Sequence, residues 1–103
     1  MFWIYTRNYM ANKREIKKDV NNRCYEVIYE CMTFLEHTPS LNQENVYQII
    51  SEAVDLRNNL IHRINNPDGN NSNHNSRSFY NNIKKDLKAG RFTFIDRLDS
   101  LPR

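Results

Sequence analysis

The chain has 103 residues, of which 39% are apolar and 26% charged, and it contains only two glycines. This length fits one domain with its own core, and the composition excludes a disordered or fibrous protein. The net charge of +3 permits an acidic partner but is common among soluble proteins, and no basic stripe with interleaved aromatic residues is present.

Residues 1–11 are expected to form a loosely held N-terminal tail, and residues 12–101 a single helical-bundle domain. The apolar stretch Met1–Tyr5 is far too short to cross a membrane, so we expect no membrane association. Met10 is a second plausible start.

The first predicted helix runs from about Lys13 to Glu36. Asn12 can cap it, and Glu15 lies where a carboxylate reaches back to the cap. One broad apolar stripe follows at steps of three and four, which is typical of a core-facing helix. The stripe contains Ile16, Val20, Cys24, Val27, Ile28, Cys31, Met32 and Leu35.

Both cysteines, Cys24 and Cys31, belong to this stripe. Seven helical residues separate their Cα atoms by roughly 10 Å, too far for a disulfide. We therefore predict two buried free thiols in a reducing compartment, the cytoplasm.

The second predicted helix begins at a capping box of Ser40 and Gln43, with Asn42 as a competing cap. It ends before Pro67, and residues 65–75 are predicted to be an exposed loop. Its apolar face comprises Val46, Ile49, Ile50, Ala53, Leu56, Leu60, Ile61 and Ile64.

The third segment starts near Ser78 and leaves two alternatives open. Its large apolar residues keep one phase throughout, which favours a single helix. Gly90, however, suits a left-handed C-cap, Thr93 can cap a short fourth helix, and Phe92 lies off the stripe of a continuous helix. The phased residues are Phe79, Ile83, Leu87, Phe94, Leu98 and Leu101. We predict an all-α antiparallel bundle of three helices, or four with a break at Gly90.

The hexapeptide from Arg57 to His62, Arg-Asn-Asn-Leu-Ile-His, resembles the Arg-Asn-x-x-x-His motif of HEPN ribonucleases. The resemblance implies a small helical RNA-cleaving protein in which Arg57 and His62 act together on a phosphate, usually across a dimer. In a regular helix these two side chains point roughly 140° apart. A partly buried arginine and an ordinary surface histidine are the structural alternative.

Arg57 projects into the middle of the apolar stripe, where a guanidinium needs a carboxylate, carbonyl groups or a subunit interface. The candidate carboxylates on the first helix are Glu15, Asp19, Glu26 and Glu30. An interface arginine would fit a homodimer.

Four cations crowd the predicted start of the first helix, where they oppose the helix dipole. They are Lys13, Arg14, Lys17 and Lys18. They form either a solvated patch or a binding site for an acidic partner or nucleic acid. Tyr25, Tyr29 and Glu36 lie on the face opposite the core stripe, where exposed tyrosines suit a dimer contact. The three histidines are scattered, and no metal or cofactor motif is present.

From Met10 onward the chain resembles a group of small bacterial helical proteins with no assigned activity. The shared features are the opening Met-Ala-Asn-Lys-Arg-Glu-Ile-Lys-Lys-Asp-Val with Cys24 and Cys31, and a second helix ending like Leu60–Ile64. A proline-containing loop and a closing helix follow. The resemblance implies an intracellular helical fold. We expect a non-enzymatic protein–protein interaction or adaptor module, either a homo-oligomer or bound to another protein; a HEPN-like ribonuclease and a nucleic-acid-binding protein are the alternatives.

Overall fold

The structure is a computed structural model that describes residues 2–38, 42–66 and 76–102, with side chains from residue 13 in the first range and residue 78 in the last. The described residues contain three helices: α1 (Phe2–His37), α2 (Gln43–Asn65) and α3 (Ser76–Asp99). Each helix packs against the other two. The predicted all-α bundle is therefore confirmed, with three helices in the part of the chain that the structure describes.

Helix α1 begins much earlier than the sequence predicted. It runs without interruption from Phe2 to His37, so the predicted boundary at Asn12 was wrong. A capping residue ends a helix only if the preceding chain leaves helical geometry, and residues 2–11 contain neither glycine nor proline to force this. The side chains of residues 1–12 lie outside the described part of the chain. The prediction that residues 1–11 form a loosely held tail depends on these side chains and stays a prediction.

Helix α2 begins after Asn42, which adopts a left-handed conformation with φ of 59° and makes no side-chain capping bond. The Asn42 amide instead donates a hydrogen bond to the carbonyl of Pro102, 3.1 Å away. The competing candidate Asn42 therefore occupies the cap position, although without a side-chain cap bond, and the predicted capping box of Ser40 and Gln43 was wrong. Ser40 and most of the predicted loop lie outside the described residues.

Helix α3 is continuous through Gly90, which settles the two alternatives in favour of one helix. Gly90 does not have a positive φ, so it is not a C-cap. A Cβ atom built at Gly90 would lie 2.5 Å from Cδ2 of Leu56. A side chain at position 90 would therefore have to displace the terminal methyl group of Leu56 on α2.

The core consists of two layers along the bundle. The first layer contains Ile16, Val20, Cys24, Leu60, Ile64, Tyr80, Ile83 and Leu87. The second contains Val27, Cys31, Phe34, Val46, Ile49, Ala53, Phe94 and Leu98. Leu56 packs against both layers.

Most predicted core residues are buried, but the predicted apolar stripe of α1 includes one residue that is exposed and omits one that is buried. Met32 is 54% exposed, whereas Phe34, which the prediction omitted, is only 6% exposed. At 100° per residue Met32 lies more than 90° from the centre of the buried stripe, and Phe34 lies close to it. Tyr80 is likewise buried and was not predicted.

Candidate interaction surface

Among the described side chains, three ion pairs join the helices around the core. Arg63 of α2 pairs with Asp86 of α3 at 2.7 Å. Arg97 of α3 donates two hydrogen bonds to Glu52 of α2, at 3.0 and 3.1 Å, and this pairing lowers the pKa of the Glu52 carboxyl. Such partly exposed pairs add little free energy.

The third of these pairs joins α1 to α3. The Glu26 carboxylate accepts hydrogen bonds from Arg91 of α3 at 3.1 Å and from Arg23 of its own helix at 3.0 Å. Because one carboxylate is shared between two guanidinium groups, Glu26 is already occupied and does not serve Arg57.

Arg57 bonds to amide carbonyl oxygens, one of the alternatives left open, and not to any of the candidate carboxylates on α1. Its Nε donates a 2.8 Å hydrogen bond to Oδ1 of Asn21 on α1, and its Nη1 donates to Oδ1 of Asn58 at 2.9 Å. Within the described residues no carboxylate forms an ion pair with Arg57. The arginine is half-buried at the rim between α1 and α2. Because solvent still reaches part of the guanidinium, its charge does not need a carboxylate partner, and an amide oxygen satisfies the buried N–H group.

His62 lies away from Arg57. It is exposed, and its Nδ1 is 3.4 Å from the Asn66 amide nitrogen, which also donates to the His62 carbonyl at 2.9 Å. The two residues of the hexapeptide therefore have separate partners: Arg57 reaches toward α1, whereas His62 contacts the end of its own helix.

The predicted basic cluster lies in the body of α1 rather than at its start. Lys13 is the twelfth residue of the helix, so the predicted conflict with the helix dipole was wrong, since that effect is confined to the first turn. Lys13 and Lys17 are half-buried, and Arg14 and Lys18 are exposed. Among the described residues none of the four forms an ion pair.

Charge is strongly separated along the bundle. We divide the described side chains at the boundary between the two core layers. The basic half comprises residues 13–24, 57–66 and 78–88, and the acidic half comprises residues 25–38, 42–56 and 89–102. The basic half carries ten cationic and three anionic side chains, whereas the acidic half carries two cationic and eight anionic ones. The described part of the bundle thus has two ends of opposite sign.

Exposed apolar residues concentrate in the acidic half. Six large hydrophobic residues of the described part are exposed: Tyr25, Tyr29, Met32, Tyr47, Val54 and Phe92. Three of the six lie on α1, on the side opposite its buried stripe. We call this side the outer face of α1; its apolar centre is formed by Tyr25, Tyr29 and Met32, which are 54%, 70% and 54% exposed.

A groove of about 850 Å³ runs beside the outer face, between α1 and α3. Tyr25 and Tyr29 line its α1 side, and Arg91, Ile95 and Asp99 line its α3 side. A smaller depression of about 250 Å³ adjoins it around Phe92 and shares these three α3 residues. The sequence identified the two tyrosines but not the α3 wall. Residues 91, 95 and 99 recur every four positions beside the core stripe, but only the α1–α3 packing places them next to the tyrosines.

The cysteines are buried free thiols, as predicted. Burial raises the pKa of the Cys24 thiol, and the nearby Arg57 charge partly offsets this. Burial and the Glu30 charge raise the pKa of the Cys31 thiol to about 11, against the opposing charge of Arg97. Both thiols therefore stay protonated at neutral pH. Within the described residues no group of three His, Cys, Asp or Glu side chains is arranged to hold a metal ion.

Comparisons with protein-family models, curated proteins and solved structures give no match for this chain. None of the helices has, within the described residues, an apolar stretch long enough to cross a membrane.

Proposed function

We propose that the protein is a non-enzymatic protein–protein interaction module that works as a homodimer in the cytoplasm, with the outer face of α1 as its binding surface. The observation that carries the proposal is the row of exposed Tyr25, Tyr29 and Met32. Exposing three large side chains on one helix face leaves apolar area in water that association would bury. Tyrosine is also enriched at the centres of protein interfaces.

A second copy of the chain is the favoured partner for the outer face of α1, because each chain has a basic half and an acidic half that can pair with the opposite halves of its neighbour. A surface that joins a basic half to an acidic half is complementary to itself when two copies pack antiparallel across a twofold axis. The groove beside the outer face offers additional contact area for the second copy.

Sedimentation velocity from micromolar to millimolar concentration tests the proposal. We expect concentration-dependent dimerisation, which Tyr25→Ser weakens about tenfold through the loss of a central aromatic contact. Tyr47→Ser is the matched control, because Tyr47 lies on α2 and is 55% exposed against 54% for Tyr25. A wild-type chain that stays monomeric throughout this range contradicts the proposal, and so does equal weakening by both substitutions.

The charge of the basic half favours nucleic-acid binding as a second candidate function. Beyond the cluster on α1, this half contains Lys84, Lys85 and Lys88 of α3, so cations from two helices are available to phosphates. Binding of an RNA or DNA duplex is then expected to weaken steeply with salt and to be lost when Lys17 and Lys18 are replaced by glutamine. Binding that is insensitive to salt, or unaffected by these substitutions, would exclude this function.

A further inference from the structure

We infer that the two copies of the proposed homodimer pack through antiparallel α1 helices, with Tyr25 at the twofold axis. The inference rests on the proposed function and specifies how the partner is oriented. It comes from the arrangement of five exposed side chains along α1.

Along the outer face of α1, exposed residues lie at equal distances on either side of Tyr25. Arg14 and Glu36 lie eleven residues on either side of it, and Lys18 and Met32 lie seven residues on either side. At 100° per residue all four fall within about 20° of Tyr25 around the helix. They therefore form one straight row, and all of them are exposed.

This row is opposite in charge at its two ends. Turning a second copy of α1 end over end about Tyr25 places Arg14 of each chain opposite Glu36 of the other. It also lays the Lys18 methylene stem against Met32 and brings the two Tyr25 rings together. A parallel arrangement would instead set Arg14 against Arg14 and Glu36 against Glu36. Charge complementarity therefore selects the antiparallel arrangement.

The remaining charges agree with the same orientation. In the antiparallel pair the basic half of each chain lies beside the acidic half of its partner, whereas the parallel pair would place like charges together. The row from Arg14 to Glu36 is about 33 Å long and one helix wide. This contact is smaller than that of a typical permanent dimer, so we expect a dimer that dissociates in the micromolar range and weakens as salt is added.

Exchanging the charges at positions 14 and 36 tests the antiparallel register of the two α1 helices. Arg14→Glu and Glu36→Arg each turn two attractive pairs into repulsive ones, so each variant alone should dimerise at least about fivefold more weakly than the wild type. Mixing the two variants should restore association, because each then supplies the charge that the other lacks. Lys85→Glu, at an exposed position of α3, changes the net charge as much as Arg14→Glu does and should leave dimerisation within about twofold of the wild type.

Cross-linking tests the orientation independently. In the inferred dimer, position 18 of one chain faces position 32 of the other, whereas the two copies of position 18 lie about 21 Å apart. A short bismaleimide should therefore join Lys18→Cys to Met32→Cys in an equimolar mixture and join neither variant to itself. The wild type is the control for the native thiols, which are at most 2% exposed.

The results separate this inference from the proposed function. A dimer that is weakened by Tyr25→Ser but insensitive to the charge exchange, or that cross-links position 18 to position 18, overturns the antiparallel register while the interaction module stands. A wild-type chain that is monomeric at millimolar concentration overturns both. Circular dichroism of each variant confirms that α1 remains folded.

Discussion

Gly90 of α3 lies against Leu56 of α2, and from this contact we predict the effect of Gly90→Ala on stability. In the interior of a helix, alanine is favoured over glycine by about 1 kcal/mol. Here the new methyl group would lie 2.5 Å from Cδ2 of Leu56, well inside the contact distance of two carbon atoms. The substitution therefore combines a favourable change in the backbone with an unfavourable one in packing.

The packing term should offset most of the backbone gain. The atom that must move is the terminal methyl group of a half-buried leucine. It can shift by side-chain rotation, but Leu56 packs against both core layers, so we expect a cost near the lower end of the range of about 1–3 kcal/mol for overpacking. Gly90→Ala should therefore change the free energy of unfolding by less than about 0.5 kcal/mol. When Leu56→Ala has removed the obstructing group, the same substitution should raise it by up to about 1 kcal/mol.

A double-mutant cycle of these four proteins measures the interaction directly. Urea unfolding followed by far-ultraviolet circular dichroism gives each free energy, and the coupling between positions 56 and 90 should be about 1 kcal/mol. Additive effects, or a Gly90→Ala protein that is stabilised equally in both backgrounds, would refute the argument that Leu56 obstructs a side chain at position 90.

Three further predictions follow from the ionisable groups. Arg97→Gln should destabilise the protein by about 0.5 kcal/mol at pH 7, since the Glu52 side chain is 41% exposed and solvent screens the pair. Because the folded-state pKa of Glu52 is lowered, this stability difference should be constant above the ordinary glutamate pKa of about 4.3 and vanish as the pH falls through the folded value; a difference that grows in acid would be inconsistent with it. Ellman's reagent should modify Cys24 and Cys31 only as the chain unfolds, and immediate reaction of either thiol in the native protein would disprove their burial. Purified wild type and His62→Ala should both leave RNA uncleaved, whereas cleavage that only the wild type performs would establish the ribonuclease alternative.

The core was largely predictable from the sequence because burial imposes a period on each helix. Ile49, Leu60 and Ile83, which are buried in the bundle, all belong to the predicted stripes. The errors concern features that the helical period of apolar residues does not determine, such as where a helix begins. Asn12 has the chemistry of a cap, but a helix ends only where the backbone departs from it, and α1 continues to Phe2.

The candidate surface was predictable only in part, because it depends on which helices are neighbours. Helical phase alone places Tyr25 and Tyr29 opposite the core. The same phase cannot say which helix packs on which flank of α1, so it left the partner of Arg57 open among carboxylates, carbonyl groups and an interface and did not identify Asn21. Gly90 was ambiguous for the same reason, since its role depends on Leu56 of another helix.

The outer face of α1 as a self-association surface is the central claim, and an NMR dilution series tests it most directly. Amide resonances of the wild type are followed from millimolar to micromolar concentration. We predict concentration-dependent shifts along the outer face, largest near Tyr25 and Tyr29, with little change at Tyr47 of α2. Spectra that are identical at all concentrations, or shifts confined to α2, would contradict the claim.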